Sequence, residues 1–551
     1  MFSKNLKISF FNRLQHFLRS EPLLAIIVVV SFILAVVGIG YGLPFHVIGD
    51  EESLIGGALK MIQTHNLVPS LAPADFSFLY YPVIIPYLII LFSLPVIAFK
   101  AVALHFSPTA LTDFFAVNQT YIWLAARMVS VVASVAMIAL TYALGKLLFT
   151  KRIALFATVL LMTSFLHMNA AHWSRHWMLA AVTTYTVVYV TIRYFKNNKE
   201  IAWLPGISMA VAVATSYITV VGGVWVAMYA WAERKQLQNF WRFAIGNVAL
   251  ALVVGTTFIA LHFSQIGAAF STGDVTIAAP KTLHLLLFTL GFGVKVLLQQ
   301  DTVLFCASLL ALIFVTQYRR QSIIVFVTFI GYAFVLFYGV HIAGRYVYLL
   351  VPAFALTGAL FFDWLFQSNY KIVRSIPVAA LLYAFIIIVR YDTLLLQPDT
   401  RVLAAQWIRQ NVGSSEFIMD SRSLRFSRTK ESLEQAAVYE TLNSVDRYSR
   451  DHYDRVAAAE PLRYSYSNVH FWKPGQGVDD MLAYIQTHYP KYGVIEYWSA
   501  DDLDIPGRSL AAAGSILQSF APSTTGTVYD IAGENETWSS VLFSLDRLGP
   551  M

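Results

Sequence analysis

The chain has 551 residues, 57% of them hydrophobic and only 13% charged, against about 25% charged in soluble domains. With repeated apolar runs of about 20 residues, that deficit excludes a soluble globular protein and marks a polytopic membrane protein. The net charge of +7 is unevenly held: residues 400–551 carry 19 acids against 14 Lys and Arg, and residues 1–399 carry 13 acids against 25. Basic residues therefore flank the spans, while the acidic tail reads as a separate soluble domain. A single cysteine, Cys306, excludes an internal disulfide. Nothing in the tail resembles a Walker loop, a GxGxxG turn or a Cys/His metal cluster, and no feature calls for a nucleic-acid partner.

A basic start (Lys4, Lys7, Arg13, Arg19) followed by an apolar run predicts a cytoplasmic segment 1–21 and a first span over 22–45, without a cleavable signal peptide. Asp50 and Glu51 then emerge on the outer face. They open an amphipathic segment in which Leu54, Ile55, Ala58, Leu59 and Ile62 recur at helical spacing, as in a helix lying flat on the membrane. Pro82, Pro86, Pro95 and Lys100 make 82–104 a surface-lying or re-entrant element within an outer loop, 46–120. Spans follow at about 121–145, 151–170 and 176–195, with Lys146, Lys151 and Arg152 in one cytoplasmic turn and Arg193, Lys196 and Lys199 in another. The stretch 202–232 fits two short or tilted helices, and 240–263 leads outward. The run 281–298 lies at the outer surface or is re-entrant. That reading sends 301–317 inward, keeps Arg319 and Arg320 cytoplasmic and places Arg345 outside. Lys371 and Arg374 then lie inside and the tail outside. The fold class expected is an α-helical membrane domain over 22–395 with about eleven spans, followed by an extracytoplasmic α/β domain at 396–551. In the tail, 401–411 reads as an amphipathic helix, 416–420 as a strand, 477–489 as a helix, and 492–497 and 540–545 as strands.

The candidate site residues cluster at the outer face. They are the acidic pair, Tyr81 in FLYYPVIIPYL, Arg127 in AARMVS, His172, Arg175 and His176 in AAHWSRHWML, Lys295, and Arg345 in HIAGRYVYLLVP. Taken singly, an acidic pair at a helix start is favoured by the dipole, and arginines near span ends snorkel. Together GDEES, NLVPS, FLYYPVIIPYL, AARMVSVVAS with GKLLFTKR, HIAGRYVYLLVPAF and AAQWIRQNV resemble, in order and sidedness, the membrane glycosyltransferases of the GT-C fold. The resemblance is nearest the protein O-mannosyltransferase and aminoarabinose-transferase branch, and it covers about 1–415.

The resemblance implies an integral membrane enzyme that moves a monosaccharide from a polyprenyl-phosphate carrier to an acceptor protein, lipid or glycan on the outer face. Carried over, Asp50 is the catalytic carboxylate with Glu51 assisting. Arg345, Arg175, Arg127 and Lys295 hold the donor phosphate, and Tyr81, His172 and His176 contact substrate. A divalent metal at Asp50 is the one cofactor the resemblance admits. Two departures from the family pattern stand out: the second outer turn reads Ser174-Arg175-His176-Trp177 without an acid, and Tyr81 precedes the proline where relatives carry Lys or His. A non-catalytic polyprenyl-phosphate-binding relative and a lipid or sugar transporter are the rival readings; a transporter is expected to place charges at mid-membrane and to show internal symmetry.

Overall fold

Long apolar runs have one economical solution in lipid, the helix, because it satisfies every backbone N–H and C=O internally. In a computed structural model, residues 20–43, 49–72, 76, 79, 84–196, 203–216, 219–232, 234, 240–262, 283–313, 347–413, 416–420, 433, 455–456, 465–468 and 492–494 are described. The helices are α1 Pro22–Val36, α2 Gly49–Thr64, α3 Ile84–Ala103, α4 Pro108–Val117, α5 Thr120–Leu148, α6 Lys151–Met162, α7 Phe165–His172 and α8 His176–Lys196. They continue with α9 Leu204–Thr215, α10 Val220–Ala232, α11 Phe240–His262, α12 Leu283–Gln300, α13 Thr302–Ala311, α14 Val351–Phe366, α15 Lys371–Leu395 and α16 Thr400–Asn411. Strands β1 Phe417–Asp420, β2 Ser465–Asn468 and β3 Tyr492–Val494 pair in parallel in the order β2-β1-β3, with Ile418 opposite both Tyr466 and Tyr492. Helix α16 and strands β1 and β3 fall in segments expected from sequence, whereas β2 is additional. The segments 477–489 and 540–545 lie outside the described residues.

Five helices among the described residues are long and apolar enough to cross a membrane, or seven if each of two bent pairs counts as one span; the chain is an integral membrane protein. Three departures from the expected threading have local causes. Helix α1 stops at Val36, well short of residue 45. Its 15 residues reach about 22 Å, less than the ~30 Å hydrocarbon core. The chain then enters GIGYG, where Gly38 and Gly42 take φ of 77° and 70°, a region that only glycine occupies freely. Second, where a surface-lying or re-entrant element is expected, α3 is one unbroken helix of 20 residues, long and apolar enough to cross a membrane. Pro86 falls in its first turn, where no helical hydrogen bond is lost, and His105 and Phe106 at φ 51° and 57° end the turn that follows it. Third, α2 is packed on more than one face: Glu51, Leu54, Ile55, Ala58, Lys60 and Met61 are all buried. A Cβ at Gly57 would lie 3.0 Å from Leu79 Cδ1.

The chain divides into two compact units, Met1–Ile39 with Tyr81–Ile85 and Arg127–Thr393, and Gly40–Tyr80 with Pro86–Ala126 and Leu394–Met551. In the second, Lys100 Nζ lies 4.3 Å from the Phe114 ring centroid, and Arg455 of the tail pairs with Asp113 of α4 at 2.8 Å.

At one end of the first unit, Glu21 at the head of α1 receives Lys146 Nζ at 2.9 Å, Lys151 Nζ at 2.8 Å and the Tyr142 hydroxyl at 2.5 Å. There too Arg152 pairs with Asp363 near the end of α14, and Lys196 donates to Leu147 O. The structure thus gathers at one end the basic turns that the sequence reading put on one side of the membrane. Between the ends, α6 and α7 meet at a 58° bend and the second half of α12 meets α13 at 116°.

The two bends are tied together by Asp301, which is buried. Its carboxylate accepts from Ser164 Oγ at 2.8 Å, Phe165 N at 2.7 Å and Leu166 N at 3.3 Å, so an acid from one break caps the helix that starts at the other.

Two outcomes follow. Replacing Asp301 by Ala strands these donors in an apolar setting and is expected to cost about 3 kcal/mol; an unchanged thermal midpoint in detergent would contradict the cap. For Glu21, burial pushes its pKa up, but the hydrogen bonds from Lys151, Tyr142 and Lys146 outweigh it and hold the carboxyl at about 2 against an ordinary 4.5. A depressed carboxyl pKa contributes stability that is present above pH 4.5 and lost as pH falls toward 2. The thermal midpoint should therefore drop across that window, and Glu21→Gln should flatten the drop.

Candidate functional site

At the other end of the first unit two side chains take up carbonyls of the segment that follows α1. Arg127 on α5, fully buried, donates from Nη1 to Ile39 O at 2.7 Å, and its guanidinium carbon sits 4.7 Å from the Trp173 ring centroid. His172, the last residue of α7 and also fully buried, places Nε2 2.8 Å from Val37 O and Nδ1 2.7 Å from Met168 O. Along α5, Arg127 is about 28 Å from Lys146 at 1.5 Å per residue, roughly the thickness of the hydrocarbon core.

The surroundings are polar and closely fitted. Trp173 Nε1 donates to Asn169 Oδ1 at 2.7 Å, and Ser130 Oγ donates to Trp173 O at 2.7 Å. The Tyr391 ring stands edge-on to His172 at 5.4 Å. Next to Tyr391 on α15, Asp392 is buried with Oδ1 3.6 Å from His172 Nε2, and neither carboxylate oxygen has a hydrogen-bond partner. Sequence reading missed Asp392, yet the signal was available: one acid inside an apolar run is a functional or structural commitment by default.

The other candidates are placed as follows. His176 opens α8, is buried, and has its ring 4.3 Å from that of Trp177. Arg175 is partly exposed in the turn before it, its amide donating to Trp173 O at 2.8 Å. Lys295 is partly exposed on α12. In the second unit Glu51 is buried in the first turn of α2, on one face with Leu54, Ile55 and Ala58. The backbone of Asp50 belongs to the same turn; its side chain lies outside the described residues, as do Tyr81 and Arg345. The structure thus brings together Arg127 and His172 at the carbonyls of Ile39 and Val37, with Asp392 added. Among the described residues no group of three or more His, Cys, Asp or Glu is placed to hold a metal ion.

No family model matches the sequence, and no curated protein does. Among solved structures, the Archaeoglobus fulgidus oligosaccharyltransferase tethered to an acceptor peptide with the NVT sequon is 12% identical. It covers 74% of this chain and 62% of its own length at a TM-score of 0.48. ArnT from Cupriavidus metallidurans bound to undecaprenyl phosphate is 13% identical, with 88% of this chain and 97% of that one covered, at a TM-score of 0.48. AglB from Archaeoglobus fulgidus in complex with an inhibitory peptide and a dolichol-phosphate is 13% identical, with 73% and 62% covered, at a TM-score of 0.46. The chain thus spans about 62% of the length of the oligosaccharyltransferase structures. Identities of 12–13% with TM-scores below 0.5 assign neither a family nor a correspondence of residues.

The geometry at Arg127 gives a direct expectation. Lysine keeps the charge but loses the flat guanidinium that both stacks on Trp173 and donates to Ile39 O. Arg127→Lys should cost about 1–2 kcal/mol, read as a lower thermal midpoint in detergent, whereas an unchanged midpoint would show that the pair contributes nothing.

Proposed function

We propose that the chain is a GT-C-type membrane glycosyltransferase that takes a monosaccharide from a polyprenyl-phosphate carrier and transfers it to an acceptor hydroxyl on the outer face. The observation that carries this reading is the start of α2. Its first turn holds Asp50 and Glu51, it follows the first apolar helix directly in sequence, and Glu51 is buried there. An acidic pair fixed beside lipid, in a chain whose motifs follow the GT-C order, suits a general base.

In the proposed reaction the Asp50 carboxylate takes the proton of the acceptor hydroxyl. The freed oxygen forms a bond to the anomeric carbon as the bond from that carbon to the phosphate oxygen breaks. The electron pair leaves with the polyprenyl phosphate, and the anomeric centre inverts. Glu51 orients the base, while Arg345, Arg175 and Lys295 offset the charge that gathers on the departing phosphate. The N-terminus is cytoplasmic in this reading and the domain 396–551, a small α/β fold, is extracytoplasmic. Buried charge in the helices does not by itself favour a transporter, because Asp301 is accounted for by the helix it caps.

Asp50→Asn keeps size and polarity and removes the base. Transfer of labelled sugar from a polyprenyl-phosphate donor in membranes should fall by at least 10²-fold, with membrane insertion and thermal midpoint unchanged. Near-normal transfer by this variant would remove Asp50 from the mechanism.

A further inference from the structure

Arg127 and His172 carry features of ligand-binding residues, being cationic or titratable and placed at one end of the spans. Nη1 of Arg127 and both ring nitrogens of His172, however, are directed at the protein's own backbone. Arg127 donates to Ile39 O and His172 faces Val37 O, two carbonyls in the segment where α1 has unwound. We propose that Arg127, His172 and Asp392 are positioning residues: a clamp that fixes the unwound end of α1, the stretch from which the chain runs on toward α2 and Asp50. The link to Asp50 rests on the glycosyltransferase reading; the clamp itself does not.

The chemistry of the three groups is complementary. Both ring nitrogens of His172 face carbonyl oxygens, at 2.7 and 2.8 Å, and a carbonyl only accepts. A neutral imidazole has one N–H, which donates to one of these oxygens and holds the ring between them. Asp392, buried with neither oxygen hydrogen-bonded, lies 3.6 Å from Nε2, against the same ring. Three helices, α5, α7 and α15, thereby converge on two carbonyls, Val37 O and Ile39 O, of a stretch rich in glycine.

Gly40 offers a reporter position. It is exposed, and a Cβ there would meet nothing within 4 Å. In a Gly40→Cys protein with Cys306→Ala, a nitroxide attached at residue 40 reads the mobility of the clamped segment. Asp392→Asn, which is isosteric, should sharpen the lines of the nitroxide spectrum. Adding His172→Asn should sharpen them little further, because the two groups act on the segment through one contact. Glu21→Gln, at the far end of α1, should leave them unchanged. If Asp392→Asn alone does not fold, Arg127→Lys, which loses the flat guanidinium, should sharpen the lines in its place. Unchanged line shapes or independent additive effects would overturn the clamp.

Transfer kinetics distinguish the clamp from a phosphate ligand. A clamp variant lowers kcat several-fold with the KM for the lipid donor within about twofold, whereas a rise in donor KM at constant kcat would make these residues ligands and overturn the proposal. If the wild-type chain transfers no sugar, the glycosyltransferase reading fails, and the nitroxide spectra still decide the clamp.

Discussion

The constraint on which the rest of this structure depends is that a backbone broken inside an apolar layer must find partners for the groups it frees. Among the described residues the first unit breaks its helices at the end of α1, the α6–α7 bend and the α12–α13 bend. Two of these breaks, the end of α1 and the α6–α7 bend, are met by polar side chains from elsewhere in the chain. Asp301 does the most, since its carboxylate gathers a hydroxyl and two amides at the start of α7 and sits itself at the α12–α13 bend. The cost of burying this carboxylate is offset only because those donors surround it. Arg127 and His172 meet the complementary need at α1, where the freed groups are carbonyls.

This sorts the ionisable residues of the helices by task. Glu21, Lys146 and Lys151, with Arg152 and Asp363, close one end of the unit. Arg127, His172 and Asp392 close the other around backbone rather than around each other alone. Long-range electrostatics and local hydrogen bonding therefore act together in holding short or bent helices that could not cross a bilayer individually. The exposed apolar faces, such as Ile372, Val378, Leu382 and Ile386 on α15, are those of helices that meet lipid.

Much of the helical framework was legible in the sequence, because apolar runs such as 121–145, 176–195 and 240–263 differ in kind from the polar segments between them. Pairing of the basic turns was legible too, since Lys146 and Lys151 flank a break in hydropathy. What was not legible depends on tertiary partners. GIGYG counted toward a continuous apolar run, although its glycines end α1, and Pro95 suggested a break in a helix that continues through it. Asp301, Asp363 and Asp392 belong to none of the motifs that carry the resemblance. A lone acid in an apolar run reveals neither its partner nor whether that partner is a helix end, an arginine or an imidazole. For the candidate site, sequence reading singled out Arg127 and His172 for their type and sidedness, but their orientation toward backbone carbonyls depends on α1 unwinding, which no pattern in the run 22–45 announces.

The central claim is that this membrane protein consumes a polyprenyl-phosphate-linked monosaccharide. The most direct measurement reconstitutes the purified full chain in lipid bilayers with such a donor, labelled in the sugar, and a membrane extract as the source of acceptors. The account predicts that label leaves the carrier for an acceptor while free polyprenyl phosphate appears in equal amount. Label that stays on the carrier, or intact carrier moved from one leaflet to the other without cleavage, would contradict it.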